Sequence, residues 1–299
     1  MLLLWIFSIV GFREVIKTLR DADLRLLGLS MLLFQAGVML RAFRWWLLLR
    51  GMSIRAGYNR TLGLVYIGEF FNGALPTIYS GDLVRVLEFS ETVSKATTAG
   101  IVLLDRTLGL AGLFIVALAA ILFGFRTLSP ETTGVLFAIT GVGLLMLFAI
   151  LQGNLLPRFL PLLPITYREA IRTRVQPFLE ALSGSPLPRL RMAILLSIFN
   201  TMFSAVNHFL VAAAVGIQLA VGLFFIFAPL VNLSLLLPTI SGLGLRELGY
   251  SVLLAPFQIP SETAVALGIG VFVSRQSASL IGGIIYLIWN IRRWLNTAG

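Results

Sequence analysis

Eight ionisable residues sit within or beside strongly apolar runs: Glu69, Asp82, Arg85, Asp105, Arg106, Arg246, Glu247 and Arg275. A charge at the centre of a bilayer costs about 2.5–3.5 kcal/mol on insertion scales, so such residues turn to a protein interior and meet a partner there. Arg275 is the sharpest case, amid Ser274, Gln276, Ser277 and Ser279 and far from either end of its apolar run. Four acids and four bases can neutralise one another as ion pairs that lock segments together. The arginines can also grip an anion through forked hydrogen bonds. Asp82, Asp105 or Glu247 can carry a proton, and the sequence selects none of them. Both the lock and the anion site remain open at this point.

Covalent chemistry has little to work with. The chain has no cysteine, which excludes disulfides, thiolate nucleophiles and Cys-ligated metals. Its one histidine, His208, lies in "NTMFSAVNHFLVAAA" and is expected to hydrogen-bond between helices rather than hold a metal. No Ser/His/Asp arrangement, P-loop or metal-ligand cluster is found, and "GLGLRE" lacks the strand–helix context of a dinucleotide site. No enzyme activity, cofactor or metal is expected, and an intramembrane lipid enzyme is disfavoured.

The elements that position these charges are membrane segments. The 299 residues are 58% hydrophobic and only 12% charged, with mean hydropathy +0.95, and a soluble domain carries roughly twice that charge. Several apolar runs reach the ~20 residues that cross a bilayer as a helix. They do not alternate as barrel strands would. The formal charge of +10 and pI near 11.0 fit cytoplasmic loops and anionic lipid better than nucleic acid.

The spacing predicts an all-α polytopic membrane protein with about six full spans and two re-entrant broken hairpins. Residues 1–12 are apolar but short and read as the end of a first helix. Spans follow at 24–49, 96–124, 131–152, 192–217 and 262–290. The first leaves through Arg41, Arg44, Trp45 and Trp46, expected as interface anchors. Segments 60–91 and 219–256 are broken by Pro and Gly, and each half is too short to cross. Such breaks are tolerated where protein or water satisfies the freed backbone groups. Between residues 165 and 184, Tyr167, Ile171, Val175, Phe178 and Leu182 form one stripe with Arg168, Arg172 and Arg174 off it. That pattern predicts an interfacial amphipathic helix, with Thr166 and Glu169 at capping-box spacing.

The two broken segments share a phrase: "LPTIYSGDLVRVL" from Leu75 and "LPTISGLGLREL" from Leu237. Arginines at 50, 55 and 60, six more within 153–191, and Arg292 and Arg293 mark cytoplasmic parts. The first hairpin then enters from the cytoplasm and the second from outside. The halves 1–124 and 131–299 read as an inverted-topology repeat with broken segments in matching places. Arg13, Lys17, Arg20 and Arg25 fall on the outer side in this scheme, against the rule. The C-terminus is expected in the cytoplasm of a cell (plasma or inner) membrane.

Three stretches resemble the transmembrane region of lysylphosphatidylglycerol synthases and its stand-alone, flippase-like relatives. They are "FFNGALPTIYSGDLVRVLEFSE", "AGIVLLDRTLGLAGL" and the run from "LLPTISGLGLREL" to "FVSRQSASLIGG". The family pattern falls on Asn72, Pro76, Gly81, Asp82 and Arg85, on Asp105 and Arg106, and on Gly242, Gly244, Arg246 and Glu247. Ser241-Gly242 stands where a Gly pair is usual. The resemblance implies a lipid transporter moving a phospholipid or lipid-linked headgroup between leaflets. The alternative is a non-transporting partner of a lipid-modifying enzyme or glycosyltransferase. The chain leaves no room for an aminoacyl-transferase domain, so aminoacyl transfer is not carried over.

On this reading Arg85, Arg106, Arg246 and Arg275 bind a lipid phosphate, with Asn72, Ser80, Gly81, Ser241 and Gly242 around it. Thr77, Asn232, Ser234 and Thr239 extend the polar path. Glu69, Asp82, Asp105 and Glu247 pair with the arginines or carry protons. The partners expected are anionic phospholipid or polyprenyl-phosphate lipids, with a second copy or a lipid-modifying enzyme as possible protein partners.

Overall fold

A computed structural model describes residues 12–75, 80–89, 93–124, 130–152, 165–234 and 242–298. The protein is an all-α polytopic membrane protein, and no strand occurs among the described residues. In chain order the helices are α1 (Phe12–Arg20), α2 (Leu24–Gly51), α3 (Tyr58–Ala74), α4 (Ser80–Phe89), α5 (Lys95–Gly124) and α6 (Pro130–Leu151). They continue as α7 (Ile165–Gly184), α8 (Leu187–Ala214), α9 (Val221–Ser234), α10 (Leu245–Leu254) and α11 (Ser261–Ala298). Five of these, α2, α5, α6, α8 and α11, contain segments long and apolar enough to cross a membrane. The expected sixth span rests on residues 1–11, which lie outside the described residues.

Local chemistry explains the helix limits. Asp23 Oδ1 accepts hydrogen bonds from the backbone N–H of Arg25 (2.8 Å) and Leu26 (3.4 Å), capping α2. Ser94 Oγ does the same for Thr97 N–H (3.0 Å) before α5. α8 starts at Leu187 rather than 192, because Pro188 is tolerated in a first turn and the Pro186 carbonyl accepts from Arg189 and Leu190 N–H. It stops at Ala214, short of the expected 217, where Gly216 takes φ 85°. α11 runs on past Arg292 and Arg293, since no proline or glycine follows Arg293 until Gly299.

The chain forms two compact units that interleave along the sequence. One holds Met1–Met39, Gly63–Gly81 and Met202–Gly299, and the other holds Leu40–Leu62 and Asp82–Thr201. This partition differs from the halves 1–124 and 131–299 of the expected repeat, since each compact unit draws on both halves.

In the first unit α10 packs on α9 and α11, and α11 packs on α1. Phe224, Phe227, Tyr250, Leu254 and Leu267 are fully buried. The α2 and α8 segments run antiparallel here: Asp23 N–H donates to Ala214 O (2.9 Å) and Asn207 Nδ2 to Ser30 O (2.6 Å). α11 approaches α3 so closely at Gly282 that a Cβ there would lie 1.9 Å from the Tyr66 carbonyl oxygen. Small residues permit such backbone approach in membranes.

In the second unit α5 packs on α6 and α7. Phe178 and Ala181 of α7 are buried, so this end of the amphipathic stripe is spent on protein packing. The side chains of Thr166, Tyr167, Arg168, Glu169, Ile171, Arg172 and Arg174 lie outside the described residues. Trp45 is fully buried against Phe89, with ring centroids 5.5 Å apart. It is therefore a core residue and not an interface anchor.

Candidate functional site

The second unit contains a ladder of charges. Asp82 and Arg85 lie one turn apart on α4, Asp105 and Arg106 are adjacent on α5, and Arg44 comes from α2. Arg44 Nε donates to Asp105 Oδ1 at 2.6 Å, and its Nη1 donates to Ser197 Oγ on α8 at 2.8 Å. Arg85 Nη1 stands 3.6 Å from Asp105 Oδ2 and 3.7 Å from Asp82 Oδ1. The Arg85 guanidinium also covers the Trp45 ring, 5.1 Å from its centroid, a cation–π contact. Arg106 Nε donates to Asp82 Oδ2. The order is thus Arg44, Asp105, Arg85, Asp82, Arg106. Among the described residues this ladder holds three cations and two anions. Its exposed end is Arg106, whose side chain is 27% accessible, whereas that of Asp105 is 4% accessible.

The first unit contains a second polar cluster. Glu69 on α3 pairs with Arg275 on α11 (Nε–Oε2 3.4 Å). Arg246, buried at the start of α10, lies close enough to Arg275 to feel its charge. Glu247 was expected to pair with the arginines or to carry a proton. Its Oε2 accepts from Gly244 N–H at 2.6 Å and caps its own helix. Gly242 (φ 78°) and Gly244 (φ 90°) make the turn into α10 in a backbone region that costs glycine little. Among the described residues, Glu247 Oε1 is buried with no hydrogen-bond partner.

Polar helix contacts surround this cluster. His208 Nδ1 and Tyr250 Oη share a hydrogen bond, as expected of a packing histidine. Asn207 Nδ2 donates to Ser274 Oγ (2.9 Å), Gln35 Nε2 to Ser277 Oγ (2.6 Å) and Asn232 Nδ2 to Ser204 Oγ (3.0 Å). Asn72, Ser80 and Gly81, expected around a ligand, hold one another. Asn72 Oδ1 accepts from Gly81 N–H (2.8 Å) and Ser80 Oγ (3.2 Å), capping α4 from α3. A Cβ at Gly81 would come within 2.5 Å of the Gly68 carbonyl oxygen.

The predicted site residues therefore separate into Asp82, Arg85, Asp105 and Arg106 in one unit and Glu69, Arg246, Glu247 and Arg275 in the other. Ser241, Pro76, Thr77 and Thr239 lie outside the described residues, as does the Ser234 side chain. Sequence reasoning missed Arg44, read as an interface anchor. Three leucines follow it before Arg50, which was the available sign that it lies below the surface. Among the described residues no set of three His, Cys, Asp or Glu side chains can hold a metal. What both clusters can do is exchange ion pairs and hydrogen bonds.

The model of the family described as the lysylphosphatidylglycerol synthase transmembrane region matches residues 1–282. A UPF0104 membrane protein of Pyrococcus horikoshii, PH1989, is 27% identical over 155 residues, covering 50% of this chain and 44% of the relative. The match thus spans less than half the length of that relative. No solved structure matches. With the family match running over nearly all of a helical, multi-spanning chain, this protein belongs to the family of the lysylphosphatidylglycerol synthase transmembrane region.

Proposed function

We propose that this protein moves an anionic lipid headgroup, of the phospholipid or polyprenyl-phosphate type, between leaflets by alternating access and without covalent chemistry. The observation that carries the reading is the chain of buried arginine–aspartate pairs that leads out to the partly accessible Arg106. A lipid phosphate matches the guanidinium fork and can exchange with the Asp82 carboxylate on Arg106, while the acyl chains stay in the bilayer. Arg85, held between two aspartates and Trp45, positions Asp82 and with it Arg106. Arg246 and Arg275 form the corresponding basic pair of the other unit. On this reading the two broken hairpins are re-entrant, arise from an inverted repeat, and open to opposite leaflets. Glu247 carries the coupling proton, through its buried Oε1.

The ion pairs themselves favour a second reading, in which the arginines only lock the helices. Purified protein in liposomes separates the two. Dithionite bleaching reports the movement of fluorescent phosphatidylglycerol and phosphatidylcholine analogues. The transporter reading expects phosphatidylglycerol to move faster with protein than without, and faster than phosphatidylcholine. Movement of neither lipid above protein-free vesicles overturns it and leaves a non-transporting membrane partner.

A further inference from the structure

The turn between α2 and α3 and the first turn of α8 line an open cleft of about 480 Å³. Its walls carry three arginines, Arg50, Arg55 and Arg189, with the turn Ser53–Gly57, and among the described residues no acidic side chain lines it. The volume lies within the ~300–1,000 Å³ usual for small-ligand sites.

The walls are held in place. Ser53 takes φ 59°, its N–H donates to Arg50 O (3.2 Å), and Ile54 N–H donates to Leu49 O (3.0 Å). Trp46 Nε1 reaches across to Ala56 O (2.9 Å). Arg189 Nη1 donates to Arg50 O (2.6 Å), tying the start of α8 to the end of α2. The Arg50 guanidinium rests over the Trp46 ring, 5.1 Å from its centroid. Each guanidinium has five donors, so that one bond leaves Arg189 ample capacity for an anion. Positioning side chains in advance lowers the entropy cost of binding.

Depth narrows the choice of anion. Arg50 ends one membrane-crossing helix and Arg189 opens another. Arg50 and Arg55 are exposed, and exposed arginines at such an end lie at the headgroup level, where anionic lipid phosphates concentrate. We propose that this cleft binds the phosphate of an anionic lipid headgroup at the membrane surface, through Arg50, Arg55 and Arg189. The site is built from residues outside both buried clusters and does not depend on lipid movement.

The test titrates full-length detergent-purified protein with short-chain dihexanoyl phosphatidylglycerol, dihexanoyl phosphatidylcholine and inorganic phosphate, reading the unfolding midpoint. Phosphatidylglycerol should raise the midpoint saturably, phosphatidylcholine much less, and phosphate only at far higher concentration. Loss of one charge-assisted hydrogen-bonding group corresponds to roughly tenfold weaker binding. Arg55→Gln and Arg189→Gln should each show that loss, and Arg55→Glu should remove the response. Arg55 is exposed, so its variants keep the unliganded midpoint even if Arg189→Gln lowers it. Wild-type titration curves for Arg55→Gln and Arg55→Glu overturn the site. Inorganic phosphate acting at the same concentration as the lipid, and competing with it, overturns the lipid assignment in favour of a free anion.

Discussion

Arg44 on α2 and Asp105 on α5 form a buried ion pair at 2.6 Å, and the same guanidinium also reaches Ser197 on α8. One side chain therefore ties three membrane-crossing helices. Removing one partner of a buried pair leaves an uncompensated charge and costs about 3–5 kcal/mol. Arg44→Gln should lower stability by somewhat less than that, because Arg85 still faces Asp105 at 3.6 Å, read as a fall in the unfolding midpoint in detergent. Adding Asp105→Asn should restore much of it. A single variant as stable as the wild type would mean that the pair contributes nothing.

Arg106 tests the transport reading directly. Arg106→Gln should strongly slow phosphatidylglycerol transfer in liposomes with little change in midpoint, because the group is partly accessible. Arg106→Lys should rescue in part, since a point charge lacks the fork of donors. If Asp82→Asn restores transfer to Arg106→Gln, the two residues are a lock and Arg106 does not bind the headgroup.

Glu69 and Arg275 give the matching test in the other unit. Arg275→Gln alone should destabilise the fold and stop transfer. Combining it with Glu69→Gln should recover the midpoint and leave transfer slow. Recovery of both properties together would assign Arg275 a purely structural role.

Helix contact at Gly282 offers a stability test free of charge. A methyl group would meet the Tyr66 carbonyl at 1.9 Å, and overpacking of this kind costs about 1–3 kcal/mol. Gly282→Ala should lower the midpoint, whereas Gly28→Ala, where nothing lies within 4 Å, should not. Equal midpoints for the two variants would contradict the close α3–α11 approach.

The absence of cysteine makes the proposed orientation measurable. Single cysteines at Gly57 and Ser183 should react with an impermeant maleimide only from the cytoplasmic side. Those at Gln218 and Ser261, also exposed, should react only from outside. Labelling of 57 and 261 from one side would refute the inverted repeat.

The helical, multi-spanning architecture was legible because apolar length sets the spans. The interior orientation of Arg275 followed from depth alone. Arg44 did not, because arginine beside tryptophan looks the same at a membrane edge and in a core. Only its partners on α5 and α8 distinguish the two cases, and they are remote in sequence. The helix-capping contact of Glu247 was not legible for a related reason. Adjacent charges suggest an ion pair, but residue three of a helix also faces the free N–H groups of its own first turn. The contacts by which Asn72 caps α4 through Ser80 and Gly81 were likewise not legible, because the linear pattern does not separate a helix cap from a ligand site.

The pairing of Arg44 with Asp105 also sets an order of events at the ribosome. The two residues are 61 positions apart, which at roughly 5–20 residues per second is about 3–12 s of synthesis. Ser197 follows later still, 153 positions after Arg44. During that interval α2 holds a buried-type arginine with neither partner yet made. α2 is therefore expected to be held in the membrane less firmly until α5 arrives. Nascent chains halted before Asp105 should consequently expose α2 to extraction by alkaline carbonate, and chains halted beyond α5 should resist it.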